Sequence, residues 1–352
     1  MASTLRMAAI DYSHGHQYGY TLAMLALPMV DLVALADSDD EQRQRAGGLT
    51  AQAPHQVDVY EDYHELLARE DIDAVVICSP NADHCRMTLD AARAHKHVLC
   101  EKPLALTLDE ADEMIAVCAQ QGVYLGTAYP CRFSPIMWEM KQDIEAGKIG
   151  DILAMSSTNH LGAVNRPTTN WFVDPARSGG GCIRDHIVHS VDLCRWFSGR
   201  EPVQVYAEAD TLASPGLPVE DTGLLLVTFE GGLMGTIDPS WNRPRTWTRW
   251  GDVTMRVVGT RGSIEGDLTG QVVVRTTDTT RWLSYAEDMN YYLLKNFAES
   301  ILAGHAPMVT GWDGRAGVAT TLAAYESIAK HVSARIDMSV PSATMGGASN
   351  KV

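Results

Sequence analysis

The chain has 352 residues, 45% of them apolar, and its 44 acidic against 28 basic side chains leave a net charge of -16. At roughly 100 to 200 residues per domain this length allows two cored domains, and the acidic surplus disfavours nucleic acid and anionic membranes as partners, so a small, mostly neutral ligand fits better. Seven cysteines, an odd number without a CxxC pair, read as reduced thiols of a cytoplasmic protein rather than a disulfide framework or zinc site, and neither a leader-like pattern at residues 1–6 nor an 18-residue apolar run suggests export or membrane spanning.

Residues 1–127 alternate short apolar runs with helical patterns, the mark of βαβ units feeding a parallel sheet. Strands are expected at 6–10, 32–36, 74–78, 98–100 and 124–126, with helices at 82–94 and 108–121. The second helix opens with Thr107 as an N-cap and acids in its first turn, and Ala111, Met114, Ile115 and Cys118 keep the 3.6-residue period. This half reads as a doubly wound dinucleotide-binding domain.

The pattern then changes to β-branched and aromatic runs with turns between them. Strands are expected at 152–158, 203–209, 223–229, 234–238, 253–258 and 272–276, with Glu230-Gly231-Gly232 as a hairpin-type turn. A mostly antiparallel sheet follows, interrupted by a helix at 183–197 and closed by helices near 285–303 and 314–331. The expected organisation is therefore a first domain at 1–127, a second at 128–340 and a loosely ordered tail at 341–352.

Several residues carry chemistry. Asp37 ends the second strand, where a dinucleotide fold places the carboxylate that accepts adenosine ribose hydroxyls; its alternative is a cap on the next helix. With Asp39 and Asp40 it would repel a 2'-phosphate, and with no arginine read as near, NAD is favoured over NADP. The phosphate loop departs from GxGxxG, reading Asp11-Tyr12-Ser13-His14-Gly15-His16-Gln17-Tyr18-Gly19. Ser13, His14, Gly15, His16 and the N–H groups of the following helix remain candidates for an anion, while Asp11 adds a negative charge; loss or displacement of the cofactor is the other reading. Ser79, Pro80, Asn81 and His84 follow a strand at the carboxyl edge of the sheet, although Asn81 serves equally well as a helix cap.

Glu101-Lys102-Pro103 closes the next strand, so the Lys102 amine reaches the same edge, and Pro103 favours a cis peptide there. Asp185 and His189, four apart in a helix, face one way, and Gly179-Gly180-Gly181 before them would let a ligand approach the backbone. An imidazole takes an alcohol proton near neutral pH, and a neighbouring ammonium eases alkoxide formation. His186 and Asp192 on the same helix could orient His189 or bind substrate. A metal site at His186, His189 and Asp192 is set aside because the lysine would oppose a cation.

Assembled in this order, these motifs resemble the glucose-fructose oxidoreductase/inositol dehydrogenase (Gfo/Idh/MocA) family over residues 5–335. The likeness rests on Glu101-Lys102-Pro103, Ser79-Pro80-Asn81 with His84, Gly147-Lys148-Ile149-Gly150, Trp171-Phe172-Val173-Asp174-Pro175, the triple glycine, Asp185, His189 and Asp192-Leu193-Cys194-Arg195-Trp196. The resemblance implies a Rossmann domain joined to an open-faced, mostly antiparallel β-sheet domain, a homodimer or homotetramer, and NAD-dependent oxidation of a secondary alcohol of a sugar, cyclitol or polyol, or the reverse reduction. It makes Lys102 and His189 the proton-transfer pair, gives Asp185 the substrate hydroxyl, extends the cofactor contacts to Glu101 and Lys102, and offers Arg132, His160 and Trp171 for the pocket wall. Trp241, Trp247 and Trp250 could stack on a sugar but serve as well in a core. A sensor without catalysis and an NAD-assisted glycosidase remain open.

Overall fold

A computed structural model describes residues 4–51, 53–162, 170–244, 246–247, 251–270, 272–276, 280–284 and 288–340. The tail expected at 341–352 and Trp250 lie outside the described residues. The chain forms two compact units, one of residues 4–130 with 290–315 and 339–340 and one of residues 131–289 with 316–338.

In the first unit β1 (Leu5–Ile10), α1 (His16–Ala26), β2 (Val30–Ala36), α2 (Asp40–Thr50), β3 (Asp58–Tyr60), α3 (Tyr63–Leu67), β4 (Ala74–Ile77), α4 (His84–Arg93), β5 (His97–Cys100), α5 (Leu108–Gln120) and β6 (Leu125–Thr127) alternate along the chain. The strands run parallel in the order β3-β2-β1-β4-β5-β6, the doubly wound order of dinucleotide-binding domains. Helices cover both faces of such a sheet, so its central strands are apolar without alternation; in β1 and β4, Met7 to Ile10 and Ala74 to Ile77 are buried throughout. α5 starts as its sequence suggests. Thr107 Oγ1 accepts the Glu110 N–H at 3.2 Å and Glu110 Oε2 accepts the Thr107 N–H at 3.0 Å, a reciprocal cap that leaves Ala111, Met114, Ile115 and Cys118 on the buried face.

The second unit contains α6 (Pro135–Glu145), β7 (Ile152–Leu161), α7 (Pro175–Ser178), α8 (Cys182–Ser198), β8 (Pro202–Asp210), β9 (Thr222–Phe229), β10 (Met234–Asp238), β11 (Gly251–Gly259), β12 (Gly262–Asp267), β13 (Val272–Thr276) and β14 (Thr280–Ser284). α9 (Met289–Ala303) returns to the first unit, α10 (Gly311–Lys330) contributes its first five residues there and the rest to the second, and β15 (Ala334–Arg335) ends the second. The large sheet has the order β12-β11-β7-β10-β9-β8-β15. Its pairs are antiparallel except β7 with β10, which run parallel. β13 and β14 pair antiparallel in a separate two-stranded sheet.

Strand alternation decides which side chains of this sheet meet α8. Ser157 Oγ lies 2.8 Å from Ser190 Oγ, and Asn159 Nδ2 donates to the His186 carbonyl at 3.2 Å, so the odd positions of β7 face the helix. Tyr206, Leu224, Leu226 and Met234 are exposed on the other face. Among the described residues no helix is long and apolar enough to cross a membrane.

Candidate active site

In the first unit, the carboxyl ends of the parallel strands carry the candidate cofactor residues. Asp37, just past β2, is 5% exposed. Its Oδ2 accepts the Tyr12 N–H at 2.6 Å and its Oδ1 the Asp39 N–H at 2.7 Å. Burial raises its pKa against those two bonds. Asp39, not Asp37, caps α2 by accepting the Gln42 N–H at 3.0 Å. The expectation that no arginine stands near is corrected here: Arg43, one turn into α2, donates Nη1 to the Asp37 carbonyl at 2.8 Å and reaches Asp40. The helix brings back a cation that lies six positions away in sequence.

The β1–α1 turn holds the altered loop. Ser13 donates its N–H to Asp11 Oδ1 at 2.8 Å, and burial pushes the Asp11 carboxyl up to about 6, with the Asp37 and Asp83 charges adding to the rise. His14 is buried, gives its N–H to the Cys78 carbonyl at 3.1 Å and accepts the His16 N–H on Nδ1 at 3.2 Å. Gly15 is the N-cap of α1 with no side-chain cap, whereas Asp39, Asp62 and Thr107 cap α2, α3 and α5. The His14 ring and carbonyl already take the N–H groups of His16 and Gln17, the first two of α1, so what this end offers an anion such as the cofactor's phosphates is the positive end of the helix.

Glu101, at the end of β5, is fully buried. Its Oε2 accepts the Tyr20 hydroxyl at 2.8 Å and its Oε1 lies 3.2 Å from His16 Nδ1. Burial alone would raise its pKa, but the His16 ring, with His14 and Lys102, outweighs burial and holds the carboxyl well below the usual range. The ligand atoms of His14, His16 and Glu101 lie within 4.8 Å of one another. Two imidazoles and a carboxylate form a metal-binding donor set, yet this carboxylate's charge is already balanced by the rings and by Lys102, whose ammonium would repel a cation. Lys102 is 3% exposed, and its bond to Pro103 is cis.

Ser79 and Asn81 are buried in the β4–α4 connection. Asn81 and Asp83 bound a short 3-10 turn and α4 begins only at His84, so Asn81 is not the cap of that helix. Pro80 sets the extended φ of -55° and ψ of 146° that enters the turn. His84, expected among the cofactor contacts, bridges two main-chain carbonyls: Nε2 lies 3.0 Å from the Ser79 carbonyl and Nδ1 2.8 Å from the Pro103 carbonyl. Burial lowers its pKa. The ring ties the β4 turn to the loop that carries Lys102.

In the second unit α8 carries Asp185, His186, His189 and Asp192, all buried. The triple glycine has a structural cause different from the expected ligand approach. Gly179 and Gly180 adopt φ of 77° and 147°, conformations open mainly to glycine. A Cβ on Gly180 would overlap the Tyr325 hydroxyl, and one on Gly181 the Glu220 carbonyl oxygen. Glu220 Oε1 accepts the N–H groups of Gly181 and Ile183 at 2.9 and 3.1 Å and the Tyr325 hydroxyl at 2.8 Å. This carboxylate occupies the positive end of α8. Neither Glu220 nor Tyr325 carries a sequence signal, since both meet the glycines only through the fold.

Three residues expected in a pocket wall are placed as follows. Arg132 makes a buried two-pronged pair with Asp192, Nε–Oδ2 2.7 Å and Nη2–Oδ1 2.6 Å, which ties the turn before α6 to α8. His160 points away from α8, because it follows Asn159 in β7. Its Nδ1 lies 2.7 Å from Asp252 Oδ1 and its Nε2 3.1 Å from Asp238 Oδ2. Trp171 stands in a short 3-10 turn, buried and edge-on to Phe172 at 5.6 Å. Trp241 is fully buried and stacked on Phe172 at 4.9 Å, and Trp247 lies beneath the Arg243 guanidinium at 4.8 Å.

Residues 10–129 match the family model for oxidoreductases with an NAD-binding Rossmann fold, and residues 137–265 match that of the GFO/IDH/MocA C-terminal domain. The chain belongs to the Gfo/Idh/MocA oxidoreductase family. It is 33% identical to the uncharacterized oxidoreductase YrbE of Bacillus subtilis, over 78% of this chain and 82% of that protein. It is 30% identical to the myo-inositol 2-dehydrogenase of Thermotoga maritima, over 79% of this chain and 84% of that protein. Among solved structures, GenD2 from gentamicin A biosynthesis in complex with NAD superposes with a TM-score of 0.84 at 25% identity, covering 96% of this chain and 98% of that one. The Gfo/Idh/MocA fold thus accounts for the parallel first sheet and the mixed second sheet.

Proposed function

We propose that this oxidoreductase uses NAD to interconvert a secondary alcohol and a ketone on a sugar, cyclitol or related polyol. The observation that carries this reading is Lys102, a nearly buried ammonium at the carboxyl end of β5, in a chain that also holds Asp185 and His189 on one buried helix. Relatives whose names include inositol dehydrogenase and 1,5-anhydro-D-fructose reductase support the substrate class. NAD, when bound, supplies the hydride acceptor at its nicotinamide. Asp37 offers its carboxylate to the ribose hydroxyls and the start of α1 its positive end to the phosphates. His189 removes the hydroxyl proton, Lys102 stabilises the alkoxide that develops, and Asp185 holds the reacting hydroxyl.

NAD is preferred over NADP because Asp37, Asp39 and Asp40 would face a 2'-phosphate. Arg43 weakens that preference, but its guanidinium is already shared by the Asp37 carbonyl and Asp40. The protein is read as cytoplasmic from its free cysteines. It is read as a homo-oligomer because Tyr206 and Leu226 stand side by side on the outer face of the second sheet with Leu224 and Met234 also exposed there.

The test is initial-rate absorbance at 340 nm with NAD or NADP and a panel of myo-inositol, scyllo-inositol, D-glucose, D-xylose and 1,5-anhydro-D-glucitol. NAD-dependent turnover of at least one member is expected. Tight binding of panel members without turnover would favour the sensor reading, and release of sugar from an added glycoside without NADH accumulation the glycosidase reading.

A further inference from the structure

Beside Asp185 on α8 stands a second imidazole with a well-defined set of partners. His186 is 5% exposed. Its Nδ1 lies 2.7 Å from the Asn159 carbonyl at the end of β7 and 3.0 Å from the Pro239 carbonyl just past β10. Carbonyl oxygens only accept, so Nδ1 carries a hydrogen. Across the ring, Nε2 lies 3.1 Å from Asp185 Oδ2. The ring nitrogen and the acid oxygen stand at hydrogen-bond distance, so the imidazole is placed to hold the carboxylate's orientation. Trp241 meets the ring nearly edge-on at 6.0 Å and is itself stacked on Phe172. Two strand ends and an aromatic pair thus fix the imidazole, and the imidazole fixes the carboxylate.

We propose that His186 is a positioning residue for the reaction: anchored through Nδ1 to the sheet, it sets through Nε2 the rotation of the Asp185 carboxylate and so the direction in which that group meets the substrate hydroxyl. This rests on the reading of Asp185 as the holder of that hydroxyl. A catalytic or binding group gains rate from being held in place before substrate arrives, and a misplacement of about 1 Å can cost about 100-fold. The position of His186 next to Asp185 serves this purpose only because α8 packs on the odd face of β7, where the Asn159 side chain also bonds the His186 carbonyl.

Two isosteric substitutions separate positioning from mere packing. The side-chain nitrogen of asparagine reproduces Nδ1, so His186→Asn keeps the anchor to the sheet and loses the hold on Asp185. The longer glutamine reproduces Nε2, so His186→Gln keeps the hold on Asp185 and loses the anchor. The experiment measures kcat and KM at 340 nm with NAD and the panel polyol of highest turnover for wild type, H186N, H186Q, D185N and D185N/H186N. Thermal unfolding and NADH binding are measured in parallel.

The expected result is a folded H186N with kcat lowered about 10- to 100-fold, unchanged NADH affinity, an H186Q that recovers most of the loss, and a double variant no slower than D185N. H186N within twofold of wild type beside an impaired D185N overturns the proposal, as does multiplication of the two losses in the double variant. A folded H186Q slower than H186N would show that the sheet anchor alone matters and also overturns it. Should H186N not fold, H186Q decides: near wild-type turnover supports the proposal and a folded, inactive H186Q refutes it. D185N with wild-type turnover, or a wild type that turns over no panel member, removes the underlying reading of Asp185 and this inference with it, an outcome distinct from the failure of His186 alone.

Discussion

The carboxylate of Glu220 accepts the backbone N–H of Gly181 over 2.9 Å and so closes the positive end of the helix that carries Asp185 and His189. The same oxygen receives the Tyr325 hydroxyl. Gly181 has no room for a Cβ against the Glu220 carbonyl. Gly181→Ala is therefore expected to lower stability by roughly 1–3 kcal/mol, the usual range of forced backbone and packing shifts. Urea denaturation followed by circular dichroism measures this; a midpoint unchanged from wild type would contradict it.

Asp11 stands in the turn where the cofactor's phosphates are proposed to lie, and burial pushes its carboxyl up to about 6. Above that pH the group is ionised and opposes an anion; below it the acid is neutral. Cofactor binding to a site beside such a group takes up a proton. The NADH dissociation constant is thus expected to fall as pH drops from 7.5 to 5.5, by about 3- to 10-fold, and Asp11→Asn should bind at pH 7.5 as wild type does at pH 5.5. Fluorescence titration measures both, and a slope that persists in the asparagine variant assigns the proton elsewhere.

His160 illustrates the opposite sign. Burial alone would lower its pKa, but the Asp238 and Asp252 carboxylates raise it to about 9. The folded value lies above the unfolded one, so the stabilisation is fully present below about pH 6.5 and is lost as pH rises through about 9. Wild type should lose unfolding temperature between pH 7 and 10 more steeply than His160→Gln. Scanning calorimetry across that window tests this, and parallel pH profiles would show that the imidazolium contributes nothing.

Much of the first unit was legible because strands buried on both faces are continuous apolar runs, as at 74–77, and because the α5 cap is written locally in Thr107 and Glu110. β3 and β12 escaped notice for a physical reason. Asp58-Val59-Tyr60 is a three-residue edge strand, and Gly262–Asp267 has mostly small or charged residues whose strand state comes from pairing with β11. Charges were harder still. Arg132 looks like a ligand contact until Asp192, 60 positions on, is brought against it. His160 and Asn159 are adjacent in sequence, and only strand register shows that one of them faces away from α8. The triple glycine was visible, but its cause, Glu220 and Tyr325, was not.

The most direct test of the central claim is steady-state turnover of Lys102→Ala and His189→Ala, each beside an NADH titration. Loss of proton transfer and alkoxide stabilisation should lower kcat by about 100- to 10,000-fold in each variant, with NADH affinity within about threefold of wild type. Turnover of either folded variant near the wild-type rate would contradict the assignment of these two side chains to the chemical step.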